Sequence, residues 1–289
     1  MIDSHCHLAG EEFVADLAAV VARAREVGIS RALVILAAQD DAEWARAQAL
    51  PVLWPAVRFA VGVHPHQAHA FASDPAAAAG AVAARLDQSP LVRAIGEIGL
   101  DYHYDFSPKD VQHAVFRTQL ALAQARGLPV AIHTRDAEAD TLRLIAEAQT
   151  RGPLNGVFHC FTGDAAVAGR AVATGFYLSF AGILTFPRAV ELREAVRVVP
   201  LDRLLIETDA PLPGARAAPR QAERAGLRDA HGRRRRGRPR PGGGRPGGAR
   251  GRQLRPAVRR SPANRVRTST KRRCRALTPA QALWSNCQV

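Results

Sequence analysis

The sequence predicts a TIM (β/α)8 barrel that lacks its normal last helix and is followed by a disordered basic tail. Eight short apolar, β-branched segments recur before residue 211, helical patterns lie between most of them, and the composition changes abruptly after Pro211. Eight strands alternating with helices favour a (β/α)8 barrel over a doubly wound sheet, because such barrels usually take about 250 residues.

The strands and helices can be placed from the hydrophobic pattern. The predicted strands are Ile2–His5, Ala32–Ala37, Phe59–Val63, Val92–Glu97, Val130–His133, Gly156–Phe158, Phe176–Phe180 and Leu204–Glu207. The clearest helical patterns are Glu12–Val27, Asp74–Asp87, Val111–Gly127 and Ala137–Arg151. Gly28, Gly127 and Gly175 each follow a helical pattern and precede a strand, as helix C-cap glycines do.

The charge is divided unevenly along the chain. The 289 residues carry a net charge of +14, with 40 Lys and Arg and 26 Asp and Glu. Residues 212–289 hold 22 of the basic and 2 of the acidic residues, which leaves 18 basic and 24 acidic residues in 1–211. Nucleic-acid binding inferred from charge alone would therefore depend on the tail.

Cysteine usage and hydropathy indicate the cellular class. The 4 cysteines have no paired spacing, and no apolar run of about 18 residues suggests a membrane span. The first residues lack the basic and apolar regions of a signal peptide. We expect a reduced, cytoplasmic protein without membrane contact.

Two interpretations fit residues 212–289. The stretch is rich in Arg, Pro, Gly and Ala, which is typical of a disordered basic tail. The same residues are also what GC-rich DNA encodes when it is translated out of frame. One inserted base near codon 212 would explain both the composition and the loss of the last helix. The sequence obtained in the other frame is more like that of an ordinary protein than residues 212–289 are. We favour the frameshift and treat 1–211 as the barrel domain.

Candidate metal ligands stand at the predicted carboxyl ends of strands, where barrel enzymes place their chemistry. His5 and His7 are two residues apart, so both imidazoles point to the same side of the first strand. Imidazole and carboxylate suit Zn, Mn or Mg. The full candidate set is His5, His7, Glu97, His133, His159 and Asp209.

A bridging ligand between two ions can be a carbamylated lysine in some barrel hydrolases. The chain contains only Lys109 and Lys271, and neither ends a predicted strand. Glu97 is therefore the best candidate for the bridge.

These motifs resemble the TatD-type metal-dependent deoxyribonucleases. The resemblance is carried by segments Met1–Leu8, Gly62–His66, Gly96–Tyr102, Leu128–Asp136, Phe158–Gly163 and Leu204–Pro211. It implies a TIM barrel, one to three divalent ions and hydrolysis of phosphodiester bonds. It also implies one metal on His5, His7 and Asp209, a second on His133 and His159, and Glu97 between them. The sequence that usually follows the last motif in this family is absent from this chain. Translation in the other frame restores it.

Other side chains near these motifs are candidates for binding substrate. His64 and Arg135 could bind a phosphate, Arg135 through its planar guanidinium, unless it pairs with Asp136 or Glu138. Asp101 could orient a ligand imidazole or cap a helix. The aromatic surface available for an unstacked base, or for packing beneath a loop, is Tyr102, His103, Tyr104 and Phe106.

The sequence thus predicts a deoxyribonuclease with two divalent ions, in which Asp209 and Glu97 are catalytic and DNA, or else RNA, is the substrate. A metal-dependent ester or amide hydrolase, acting for example on an aminoacyl ester, is the first alternative. The others are a nucleic-acid-binding protein that works through its basic tail, and an inactive frameshifted product. The oligomeric state is not predicted.

Overall fold

A computed structural model describes residues 1–211, and these form the predicted barrel. Eight parallel strands are hydrogen-bonded in the order in which they occur along the chain. They are β1 (Ile2–Cys6), β2 (Arg31–Ala37), β3 (Arg58–Gly62), β4 (Val92–Asp101), β5 (Val130–Arg135), β6 (Gly156–Phe158), β7 (Tyr177–Phe180) and β8 (Leu204–Ile206). Each of the eight strands overlaps a predicted segment, and the TIM-barrel prediction is confirmed.

Eight α-helices connect the strands of the described part. They are α1 (Leu17–Glu26), α2 (Asp41–Ala47), α3 (Leu50–Leu53), α4 (Pro75–Gln88), α5 (Lys109–Arg126), α6 (Glu138–Gln149), α7 (Ala165–Ala173) and α8 (Val190–Val198). Gly127 ends α5 in a left-handed conformation, with φ of 62°, as predicted for a C-cap glycine.

The first helix begins later than the sequence predicts. Residues Glu11–Phe13 form a 3-10 turn, and α1 starts only at Leu17. The amides of Phe13 and Val14 bond to carbonyls three residues back, which is the 3-10 rather than the α-helical pattern.

The barrel closes between β1 and the residues that follow β8. The Asp209 amide donates to the His5 carbonyl at 3.0 Å, and the His7 amide donates to the Ala210 carbonyl at 2.8 Å. The carboxylate of Asp3 accepts from the Thr208 amide at 3.0 Å and from its hydroxyl at 2.6 Å. These bonds hold the ends of the first and last strands together, so the candidate ligands on them lie side by side.

The interior of the barrel is filled by small and branched side chains. A separate buried cluster takes members from six strands and consists of Leu33, Ile35, Ala60, Ala94, Ala131, Val157 and Leu205. Ala131, Val157 and Leu205 precede His133, His159 and Glu207 by two residues. Because strand side chains alternate between two faces, these later residues also point inward at the carboxyl ends of the strands.

Strand β4 departs from the prediction in a way that matters for the site. Glu97 lies inside β4, which continues to Asp101, so the expectation that Glu97 ends the strand was wrong. Glu97 follows Ala94 by three residues, which simple alternation would place on the opposite face. The pairing with β5 shifts register between Ile95 and Ile98, and this irregularity accompanies the inward position of Glu97.

The predictions for residues 212–289 lie outside the described residues. They comprise the missing last helix, the disordered basic tail, the domain boundary after 211 and the frameshift. In residues 1–211, no helix is both long and apolar enough to cross a bilayer.

Candidate active site

Four candidate ligands form one group of donor atoms at the junction of β1 and β8. His5 Nε2 lies 3.3 Å from His7 Nε2 and 3.3 Å from Glu97 Oε2. Asp209 Oδ1 is 3.7 Å from each of the two imidazole Nε2 atoms. His7 Nε2 is 3.9 Å from Glu97 Oε2. Two imidazoles from the end of β1 therefore face two carboxylates, one from β4 and one from the segment after β8.

A second group of donors surrounds the other oxygen of the Glu97 carboxylate. Oε1 of Glu97 lies 2.7 Å from His133 Nδ1 and 2.6 Å from His159 Nε2. These two ring nitrogens are 3.4 Å apart. His64 Nε2 approaches the same oxygen to 3.3 Å. Glu97 thus stands between the two groups, with Oε2 facing one and Oε1 facing the other.

The donor atoms fit divalent metal ions. An ion with tetrahedral bonds of about 2.0–2.1 Å holds its donors about 3.3–3.4 Å apart, close to the spacings of the first group. Oδ1 of Asp209 is buried and has no hydrogen-bond partner within residues 1–211. Buried polar atoms are normally satisfied, so this oxygen indicates a ligand outside the polypeptide. The cluster could bind metal.

Burial keeps two of the imidazoles neutral. It lowers the pKa of His5, and the nearby positive charge of His159 adds to the effect. Burial also lowers the pKa of His64 to about 4, although Glu97 opposes the shift. Neutral imidazole carries the free lone pair that a metal ion needs.

The carboxylates of the cluster are ionised. Burial would raise the pKa of Glu97, but the positive charge of His159 and hydrogen bonds from His133 and His159 hold it well below its usual range. Burial is likewise outweighed at Asp209, where the His7 contact and the His159 charge lower the pKa to about 2. Both groups can therefore bind a cation at neutral pH.

Asp101 lies behind the second group and contacts two imidazoles. Its Oδ2 is 2.9 Å from His133 Nε2 and 2.8 Å from His66 Nε2, and the residue is only 1% exposed. Its Oδ1 accepts from the amides of His103 and Tyr104. Asp101 thus both orients a candidate ligand and caps the turn after β4, and it faces histidine rings rather than open space.

Arg135 and His64 occupy different positions relative to the cluster. The Arg135 guanidinium lies 5.0 Å from the centre of the Tyr104 ring, and the residue is exposed. It makes no salt bridge with Asp136 or Glu138, the two partners considered from the sequence; Asp136 instead contacts His103 at 3.0 Å. His64 belongs to the donor cluster itself, through its contact with Glu97.

Glu207 supports the site and was missed by the sequence analysis. Its Oε1 accepts a hydrogen bond from the Cys160 amide and lies 3.6 Å from His159 Nδ1, and its Oε2 is 3.4 Å from the Ser4 hydroxyl. The signal was available, because Glu207 stands two residues before Asp209 on the same strand path and so points inward.

A cavity of about 290 Å³ opens beside the first group of donors. Its polar lining comes from the segments after β1, β2 and β3, from α2 and from β4, and includes His7, His64, His66, Gln67, Glu43 and Glu97. Substrate can therefore reach the donors from the carboxyl ends of the strands.

The barrel and its histidine–carboxylate cluster define a metal-dependent hydrolase. The profile of the family described as TatD related DNase matches residues 2–228, and the chain belongs to this family. The resemblance inferred from the motifs is thereby confirmed.

Relatives of known sequence or structure agree with this assignment. A Bacillus subtilis protein named as the uncharacterized metal-dependent hydrolase YabD is 40% identical over 211 residues, covering 73% of this chain and 80% of the relative. An Erwinia amylovora protein named 3'-5' ssDNA/RNA exonuclease TatD is 39% identical over 216 residues, with the same coverage. The crystal structure of YjjV, a TatD homologue from Escherichia coli K12, superposes with a TM-score of 0.66 at 30% identity, covering 80% of this chain and 88% of that one.

Proposed function

We propose that this chain is a divalent-metal-dependent nuclease that hydrolyses phosphodiester bonds of DNA. It would use two divalent ions (Mg, Mn or Zn), one on each side of Glu97. The observation that carries the proposal is the division of donors between the two Glu97 oxygens. His5, His7 and Asp209 would hold one ion with Oε2, and His133 and His159 would hold the other with Oε1.

Divalent ions held by these residues would supply a more acidic bound water and positive charge for the phosphoryl and leaving oxygens. Asp209 is also the proposed general base, because its carboxylate is ionised and buried among the donors. It would orient the attacking water and take up its proton. Glu97 would act by holding the two donor groups in a fixed position relative to each other.

Residues at the edge of the cluster would bind the substrate. His64 is neutral and its Nδ1 accepts from the His66 amide, so only Nε2–H, which faces Glu97 Oε1, would donate to a phosphate oxygen. Arg135 would supply the positive charge, which matters because residues 1–211 carry more acidic than basic residues. Asp101 is buried beneath His133 and His66, and we assign it to holding these rings in place.

The proposed substrate follows from the relatives and from the chemistry. The Erwinia relative is named for single-stranded DNA and RNA, and a two-ion site suits the in-line displacement of a phosphodiester. An aminoacyl ester or an amide would place a neutral carbonyl at the same donors, so the test must include both bond types.

The test uses the full chain after removal of metal by a chelator. End-labelled single-stranded DNA, duplex DNA, RNA and a panel of aminoacyl esters and amides are offered with Mg, Mn or Zn restored. We expect DNA cleavage that requires the added ion, with the product ladder separating stepwise from internal cleavage. The Glu97→Gln variant should cleave more than about 100-fold more slowly. Losing a residue that only supports a metal ligand costs up to about 100-fold, and Glu97 is a proposed ligand itself.

Glu26→Gln, which alters an exposed carboxylate on α1, is the matched control and should cleave at the parent rate. Turnover of esters or amides without DNA cleavage would refute the proposal. So would DNA cleavage that persists in the chelator or in Glu97→Gln. No turnover of any substrate would favour an inactive product.

A further inference from the structure

Two aromatic side chains form an exposed stack in the segment between β4 and α5. The ring centres of Tyr104 and Phe106 are 5.2 Å apart, and the rings are inclined by only 25°. Tyr104 is 42% exposed and Phe106 is 57% exposed. Aromatic rings gain free energy when they are buried, so an ordered pair left in water indicates a ligand-binding surface.

One imidazole links this pair to the donor cluster. The His66 ring packs against Phe106 at 4.8 Å and against Tyr104 at 5.4 Å between ring centres. The same ring contacts Asp101, which holds His133, and the His66 and His133 ring centres are 6.1 Å apart. The aromatic pair therefore lies one side chain away from a proposed metal ligand.

A cation stands beside the pair. The Arg135 guanidinium carbon is 5.0 Å from the Tyr104 ring centre, the distance of a cation–π contact. Within residues 1–211, no carboxylate forms a salt bridge with Arg135, and the nearby Asp136 pairs with His103. Its charge is thus available to a phosphate while its plane stays ordered on Tyr104.

The two other aromatic candidates from the same segment are occupied. The Tyr102 hydroxyl donates to Asp140 Oδ2 at 2.7 Å, and Lys109 lies over its ring at 4.2 Å. His103 contacts Asp136 at 3.0 Å. Tyr102 therefore packs beneath the loop and His103 is exposed but paired with Asp136, which leaves Tyr104 and Phe106 as the open aromatic rings.

We infer that Tyr104 and Phe106 receive an unpaired base of the nucleic-acid substrate and that Arg135 binds a phosphate next to that base. This inference rests on the proposed function and adds the feature that selects single strands. A base inside a duplex has both faces covered by its neighbours, whereas an unpaired base can extend the aromatic stack. Stacking of this kind is tolerant of sequence, because every base has a π-face.

Binding is tested with the full chain in chelator, so that no cleavage occurs. The probe is a short single-stranded deoxyoligonucleotide that carries one 2-aminopurine, whose fluorescence is quenched when it stacks. Raised salt weakens the contribution of the many arginines in residues 212–289 but leaves stacking largely intact. Phe106→Ala and Tyr104→Ala should each weaken binding roughly 5- to 150-fold and reduce the quenching.

Two further variants separate stacking from a folding defect. Phe106→Trp should restore binding and quenching, because it returns a larger aromatic face. Leu201→Ala is the matched control, since Leu201 is 58% exposed but precedes β8 at the opposite end of the barrel. Its affinity for the single-stranded probe should equal that of the parent chain. All variants should bind duplex DNA with the same affinity as one another.

Parent-like affinity and quenching in both alanine variants would overturn the inference. So would a loss in Leu201→Ala equal to that in Phe106→Ala. Cleavage of an abasic oligonucleotide by the parent chain, measured separately, reports on the proposed metal site without any base. If the parent cleaves no oligonucleotide but the alanine variants lose quenching, the proposed function fails and the stacking surface stands.

Discussion

The Nε2 atom of His133 lies 2.9 Å from Oδ2 of Asp101, while Nδ1 of the same ring faces Glu97. Both carboxylates are ionised and only accept, so both ring nitrogens donate, and these contacts raise the pKa of His133 although burial opposes the shift. An ion would bind at Nδ1 once that proton has left, while Asp101 keeps the proton on Nε2. Burial alone would raise the pKa of Asp101, but hydrogen bonds from His133 and His66 hold it below its usual range. This is the arrangement by which an outer carboxylate fixes the tautomer of a metal-binding histidine.

Replacing Asp101 should therefore weaken metal binding without removing a proposed ligand. Asp101→Asn keeps the size of the side chain and one oxygen for the turn, but it loses the charge that holds His133. We expect the ion concentration needed for half-maximal activity to rise roughly 10- to 100-fold. Asp105→Asn, at an exposed position four residues further along, should leave the titration unchanged. Equal titrations for both variants would contradict this role.

Metal removal should also change stability. Elemental analysis of the purified chain is expected to find two ions, and Glu97→Gln should lower that number because both groups lose their shared carboxylate. An ion that binds only the folded state stabilises it by about 2.7 kcal/mol at 100 times its dissociation constant. The melting temperature should thus fall in chelator and recover with added ion. A melting temperature that ignores both treatments would argue against the site.

Glu207 is expected to act on the second group through His159. Glu207→Gln removes the negative charge 3.6 Å from His159 Nδ1 but keeps an oxygen for the Cys160 amide. We expect cleavage to slow roughly 10- to 100-fold and one of the two ions to bind more weakly, with little change in the unfolding transition. Glu191→Gln, on the exposed side of α8, is the control. A parent-like rate and metal content would show that the contact is only structural.

The sequence was sufficient for the barrel and for most inward-facing candidates. Period-two alternation and helical spacing are local properties, so the eight strands could be located, and His5 and His7 could be assigned to one face. The same rule failed at Glu97, because the register shift between Ile95 and Ile98 depends on pairing with β5. Such irregularities arise between strands that are distant in sequence, and no local pattern shows them.

Contacts between strands explain the other omissions. Glu207 matters because the Cys160 amide is turned toward it, and Cys160 holds a left-handed backbone with φ of 41°. His66 matters because the turn after β3 brings it to Asp101 and Phe106. Spacing predicts that Glu207 points inward, but neither of these contacts can be deduced from spacing, since each depends on how two loops meet at the mouth of the barrel.

Two glycine substitutions test the close approach of β4 to β5, because they should change the free energy of unfolding in opposite directions. Gly99 has φ of 145°, and a Cβ atom there would lie 1.9 Å from the His133 carbonyl oxygen, so Gly99→Ala forces the two strands apart. We expect a loss of more than about 3 kcal/mol in the free energy of unfolding and a displaced His133. Gly80 is exposed in the middle of α4 and a Cβ there meets nothing within 4 Å, so Gly80→Ala should stabilise the chain by about 0.5–1 kcal/mol. Urea unfolding of both variants measures the difference, and destabilisation by both, or by neither, would refute the strand contact as the cause.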